Sequence, residues 1–331
     1  MTVLTQAPGR SRIRPWPALI AAYAGVFLTI SDLFKVLVAV PAIQRALHAS
    51  PAVGQLVLAG FQLTYAVTLV TGGRLGDRYG RRRVFCAGVA VFTVASVASG
   101  LAPDAGLLVA ARLVQGVGSA LALPQAFSLV QVLFPPDRRD RPFAVMGAVL
   151  GLASVAGQVV GGVMLQALPW RAVFLVNLPL GAAVLLAARL LIPESRAATA
   201  GRVDRPGVAL LSGALVLLVL PLIEGRQLGW PLWTWLCLAA APLALAAFAV
   251  VEGRVREPLV DLRLFRDRPF TLGVREEHVG TASGVLSTAQ QVGGSVGVAL
   301  IGVVVFRAVP RGWDHAFATG ASSGWFWSSS A

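Results

Sequence analysis

Charged side chains are scarce. Asp, Glu, Lys and Arg make up 13% of the 331 residues, against roughly 25% in an ordinary soluble domain. Cysteine occurs twice and histidine three times. Cys86 and Cys237 sit in apolar runs without C-x-x-C or Cys/His spacing, so neither a redox pair nor a zinc site is expected. His48, His278 and His315 are too scattered to share a helix face, so no metal is expected. No residue cluster suggests covalent catalysis, and no G-x-x-x-x-G-K-[ST] loop is present to cradle ATP phosphates. No catalytic residue and no cofactor are expected. Apolar residues, by contrast, form 56% of the chain, and the mean hydropathy is +0.74. At about 20 apolar residues per crossing, that supply covers about nine membrane spans. A soluble enzyme, a disordered tail and a small secreted scaffold are excluded. The expected fold class is an all-α membrane protein.

The net charge of +13 invites a nucleic-acid reading, but the placement of the charges argues otherwise. Apolar segments lie at roughly 17–38, 54–72, 84–102, 106–131, 142–166, 171–192, 207–223, 232–251 and 284–306. With the N-terminus inside and each segment crossing once, 20 of the 28 Lys and Arg residues fall inside, 5 outside and 3 within spans. The three are Lys35, Arg112 and Arg189. This is the positive-inside pattern repeated over nine crossings, so the charge reports topology. No nucleic-acid partner is expected. The first apolar run follows a basic stretch but shows no small-residue cleavage site, which favours an anchor helix over a signal peptide.

The loops set the organisation. Residues 1–16 form a cytoplasmic tail and 17–192 six spans. Residues 193–206, PESRAATAGRVDRP, read as a cytoplasmic linker, and 207–251 hold two further spans. Residues 252–283 form a basic cytoplasmic loop that turns polar at Arg275, and 284–331 carry one last span. Trp230, Trp233 and Trp235 read as an interfacial aromatic belt.

Five ordered motifs carry a resemblance. Gly73-Arg-Leu75-Gly-Asp77-Arg78-Tyr-Gly80-Arg81-Arg82-Arg83 joins the second and third spans. Read physically, it is a short turn eased by glycines, with a carboxylate able to pair with an arginine. On its own it is a basic cytoplasmic turn; in this order it resembles the G-x-L-x-D-R-x-G-R-R signature loop of the major facilitator superfamily. Leu108, Arg112, Gln115, Gly116, Gly118 and Ala120 resemble that superfamily's fourth-helix motif. Gly147-x-x-x-Gly151 and Gly157-Gln158-Val159-Val160-Gly161-Gly162 resemble its antiporter motif G-P-x-x-G-G, with Gln158 in place of proline. Ordinary helix packing remains the alternative for any one such glycine pair. Trp170-Arg171-Ala-Val-Phe174-Leu-Val-Asn177-Leu-Pro179-Leu-Gly181 is similar to W-R-x-x-F-x-x-N-x-P-x-G of the fourteen-helix drug:proton antiporters. Residues Ala282 to Gly297 resemble that family's thirteenth helix.

The resemblance implies a major-facilitator helical bundle of about nine transmembrane helices, its second half incomplete, with helices nine to twelve absent between Val274 and Arg275. It implies a cell-membrane protein, N-terminus cytoplasmic, that expels small hydrophobic or cationic drugs or metabolites against protons across the lipid bilayer. The family's two halves rock about a central site, so the chain as written is expected to be impaired, and a non-transporting membrane or interaction protein is the alternative. The implied site residues are Asp32, Arg112 and Gln115 on the proton and substrate pathway. Gly73, Asp77, Arg78, Gly80 and Arg81 belong to the signature loop, and Gly157, Gly161 and Gly162 to the antiporter motif. Asp77 is expected to tie the signature loop to Thr281–Val285. Two readings of Asp32 stand: a proton or cation carrier partnered by Arg112, or a structural ion pair with Lys35 one turn away. The family pattern has an apolar residue where Lys35 stands.

Overall fold

The computed structural model describes residues 15–197, 205–225 and 228–254. Among them every regular element is helical. The order is α1 (Pro15–Ala46), α2 (Pro51–Tyr79), α3 (Arg81–Gly100), α4 (Ala105–Leu133) and α5 (Asp140–Ala167). It continues with a short α6 (Ala172–Leu175), then α7 (Asn177–Leu191), α8 (Arg205–Glu224) and α9 (Leu232–Glu252). Seven helical stretches are long and apolar enough to cross a membrane, with α6 and α7 counted together, and Pro206–Leu222 adds a shorter apolar stretch. The first eight expected segments are therefore all helical, and segment 284–306 lies outside the described residues.

The expected ends are corrected mainly outward. α1 continues eight residues past position 38, carrying Pro41 inside the helix. At about 1.5 Å per residue, its 32 residues span about 48 Å. α2 runs to Tyr79, so most of the signature loop is the last two turns of a helix and not a turn. The reversal is a single residue, Gly80, at φ 110°. That left-handed value is strained for any residue with a Cβ. The sixth segment is α6 and α7 joined through Val176, whose backbone stays helical (φ −60°, ψ −23°). Two starts are capped locally: Ser50 Oγ accepts from Val53 N at 3.4 Å, and Asp104 Oδ1 from Leu107 N at 2.9 Å.

α1 is the central post, touching α2, α4, α5 and α7, while α3 lies between α4 and α7. Its buried face joins Leu19, Phe85, Phe92, Leu129 and Met146 in one core and Ile43, Leu108, Trp170 and Phe174 in a second. Glycines bring the axes close. A Cβ on Gly118 would lie 2.8 Å from Gly88 O and 2.9 Å from Phe92 Cα, and one on Gly161 3.0 Å from Lys35 Cα. α5 leaves its other face bare: Leu152, Val155, Val159 and Val163 are exposed apolar residues. α8 and α9 pair with each other, and α8 rests on α2.

Candidate functional site

Helical spacing does the first assembly. Asp32 and Lys35 are one turn apart on α1, as are Arg112 and Gln115 on α4. α7 begins with Asn177 and is drawn against α3 because Gly181 leaves room for Thr93. Gly116 lets α4 approach Phe61 and Thr64 of α2. Five helices thus converge on one level of the bundle.

There the polar side chains form a closed network. Arg112 Nη1 donates to Asp32 Oδ2 at 2.6 Å and to Gln115 Oε1 at 2.7 Å. Its Nε donates to the carbonyl of Val57 at 3.1 Å. Gln115 Nε2 donates to Asp32 Oδ2 at 3.2 Å. On the other side, Asn177 Nδ2 donates to Asp32 Oδ1 at 2.6 Å and to Ser96 Oγ at 2.9 Å. Ser96 Oγ passes its own hydrogen to the carbonyl of Phe174 at 2.9 Å. The Asp32 carboxylate therefore accepts three hydrogen bonds from three side chains. Asp32, Arg112, Gln115 and Asn177 are fully buried. Arg112 also lies over the Phe61 ring, 4.4 Å from its centroid, a placement that favours a guanidinium.

Asp32, Arg112 and Gln115 are thus brought together, with Arg112 the direct ion-pair partner of Asp32. Lys35 behaves differently from the one-turn expectation. Its Nζ bonds Asn177 Oδ1 at 2.6 Å, so the amide stands between ammonium and carboxylate. Lys35 is the chain's single lysine. Of the other members, Asn177 enters the sequence reading only as part of the W-R-x-x-F-x-x-N motif and not as a site residue, and Ser96 does not enter it. An asparagine inside an apolar span was the available signal for the first.

The signature-loop residues sit at a separate place. Arg81 Nη2 pairs with Asp77 Oδ1 at 2.7 Å. The chain after α7 folds onto this corner: Arg81 N donates to Ser195 O at 2.9 Å, and Ala197 N to Asp77 O at 3.1 Å. Glu194 Oε2 lies 3.7 Å from Arg82 Nε and 3.5 Å from Arg83 Nε. Residues 193–197, read from sequence as a plain linker, are a strap. The expected Asp77 partners, Thr281–Val285, lie outside the described residues. Gly73 and Arg78 fall in the last turns of α2, before Gly80. In the antiporter motif, Gly157 and Gly161 press on the α1 backbone at Ser31 and Lys35, whereas Gly147, Gly151 and Gly162 face open space.

Residues 22–260 match the family described as Major Facilitator Superfamily. The chain is 42% identical over 264 residues to the tetracenomycin C resistance and export protein of Streptomyces glaucescens, covering 79% of this chain and 49% of that protein. It is 39% identical over 250 residues to the puromycin resistance protein of Streptomyces alboniger, covering 75% and 49%. It thus spans about half the length of the curated relatives it matches. Among solved structures, the human organic anion transporter MFSD10 superposes with a TM-score of 0.60 at 14% identity, over 96% of this chain and 98% of that one. A bacterial homologue of the lysosomal transporter Spinster gives 0.53 at 18% identity, over 96% and 89%. At these identities the likeness shows the fold alone, an all-helical bundle. The apolar helices, the ordered motifs and these matches together place the chain in the major facilitator superfamily.

Proposed function

We propose that the chain belongs to the proton-driven exporters of this superfamily, whose intact members would move small hydrophobic drugs or metabolites out of the cell with the carboxylate at Asp32 carrying the coupling proton, and that as written it is impaired. The observation that supports this is the buried Asp32–Arg112 pair between α1 and α4, held from a third side by Asn177. The three hydrogen bonds that this carboxylate accepts come from α4 and α7, so a proton that displaced them would loosen α1 from both helices and tie proton uptake to helix movement. In this reading the N-terminus is cytoplasmic in the cell membrane. Residues 17–192 are the first bundle, 193–206 its connector, 207–251 two added helices, 252–283 a cytoplasmic loop with the deletion junction, and 284–331 a remnant of the second bundle. The signature-loop strap braces the cytoplasmic face. Rocking needs two bodies, so the chain alone is expected to show no efflux above background.

The test transplants residues 15–252 into the full-length tetracenomycin C exporter and measures dye efflux from cells lacking their own pumps. Membrane content of each protein is quantified in parallel. Efflux by the chimera that is lost on Asp32→Asn and on collapsing the proton gradient is expected. Efflux that survives Asp32→Asn overturns the coupling role. A chimera present in the membrane at the parent's level but inert favours a non-transporting membrane protein.

A further inference from the structure

The charge count inside the cluster is unbalanced. Arg112 and Lys35 bring two cations and Asp32 one carboxylate, and none of the three is more than 3% exposed. The only hydrogen-bonding side chains joining them within the network, Gln115, Asn177 and Ser96, are neutral. A second observation points the same way. Arg112 Nη2 is buried and has no hydrogen-bond partner among the described residues, although its Nη1 serves two acceptors and its Nε one. Lys35 carries three N–H donors, of which Asn177 Oδ1 takes one. A buried guanidinium nitrogen left unpaired is costly, and so is a surplus buried charge. One occupant relieves both: a group that is negative and accepts hydrogen bonds.

We propose that this cluster is a binding site for the anionic oxygen of an apolar organic acid, a carboxylate or phenolate, and that Lys35 is the residue that sets its charge preference. The oxygen accepts from Arg112 Nη2, and the apolar body lies against the rings of Phe61 and Phe174 that flank the guanidinium. Lys35 supplies the charge that makes the whole cluster positive, and it covers the Asn177 oxygen that an organic cation would otherwise use. With an apolar residue at position 35 the cluster is neutral and has no reason to prefer anions. The side chains are closed over one another here, so the acid enters only as α1 and α4 part locally. This assigns a substrate class within the transport reading above and rests on it. The test below reads binding, so a chimera that fails to export leaves the charge preference intact, and the reverse also holds.

The probes are biphenylcarboxylate and biphenyltrimethylammonium, which share an apolar body and differ in carrying an anionic oxygen head or a cationic ammonium head. Equilibrium dialysis against the full chain in lipid nanodiscs, corrected for empty nanodiscs, gives a carboxylate-to-ammonium binding ratio. That ratio is expected to fall about tenfold, or about 1.4 kcal/mol, in Lys35→Met and to persist in Lys35→Arg. A ratio equal in wild type and Lys35→Met, or one lost equally in Lys35→Arg, overturns the proposal. Should Lys35→Met fail to fold, thermal shifts of the wild-type chain decide. Biphenylcarboxylate is expected to raise its unfolding temperature more than biphenyltrimethylammonium does, relative to empty-disc controls of ligand partitioning. Equal or reversed shifts overturn the assignment.

Discussion

Removing one member of a two-ion buried pair ordinarily leaves a lone charge whichever partner is lost. Here the third ion breaks that symmetry. Arg112→Met leaves Asp32 and Lys35, a carboxylate and an ammonium bridged by the Asn177 amide. Asp32→Asn leaves Arg112 and Lys35, two cations with no buried carboxylate in the network. Breaking a buried pair costs about 3–5 kcal/mol, most of it from the uncompensated charge. We therefore expect about 3 kcal/mol for Arg112→Met and about 5 for Asp32→Asn, placing the two ends of that range by residual charge. At about 2–4 °C per kcal/mol for a body of this size, the two variants differ by about 4–8 °C in unfolding temperature. The assay is thermal unfolding in detergent, followed with a thiol-reactive dye. The half-buried Cys86 and Cys237 are the native reporters. In a Lys35→Met background the network holds two ions, and the two further substitutions should cost the same within about 1 kcal/mol. Equal midpoints for Asp32→Asn and Arg112→Met with Lys35 present would falsify the three-ion account.

Five further outcomes follow from the geometry and the charge placement. Gly118→Val drives a side chain into Gly88 O and Phe92 and should cost about 1–3 kcal/mol of stability. Gly151→Val, with open space around it, should cost less than about 1 kcal/mol in the same melt. Glu194→Gln loses two partly exposed ion pairs to Arg82 and Arg83 and should change stability by no more than about 1 kcal/mol. Gly80→Ala meets both the φ of 110° and the Glu194 carboxylate, so it should cost at least about 1 kcal/mol and speed proteolysis near residues 193–197. Cysteines placed at Ser50 and Asp104, in a chain lacking native cysteines, should label from outside, and one at Arg139 only after permeabilisation. Reversed labelling at two of these sites refutes the topology.

The spans were legible because burial in lipid demands long apolar runs, and a composition signal of that strength survives without any tertiary information. Asp32 and Arg112 were legible for the complementary reason, since an ion at that depth needs a partner. Two features were hidden. The one-turn spacing of Lys35 and Asp32 pointed to direct pairing, but a residue 142 positions on, Asn177, receives the ammonium instead. No local pattern encodes that interposition; it depends on how closely Gly181 lets α7 approach α3. The strap at Glu194 was hidden likewise, because a small polar segment bounded by prolines looks like a free connector until the arginines of α3 are placed beside it. The signature loop was misjudged at its backbone: its glycines suggested several turn residues, yet Gly73 and Gly76 are helical and serve close approach to Pro124 and Gln125 of α4.

The strap also acts as a leash. Ala197 is bonded to Asp77 at the corner between α2 and α3, and α8 begins at Arg205. Eight residues of fully extended chain reach at most about 28 Å. The near end of α8 is therefore confined to a short radius about that corner, and its flank already lies along α2, with Phe248 of α9 packed near Val70. The α8–α9 pair is cargo of the first bundle. In the two-body cycle proposed above, a tilt of α2 would carry the pair with it like an outrigger on a hull. A second body sliding against the first would meet that outrigger along the α2 side, while the bare flank of α5 would offer a running surface with no such passenger.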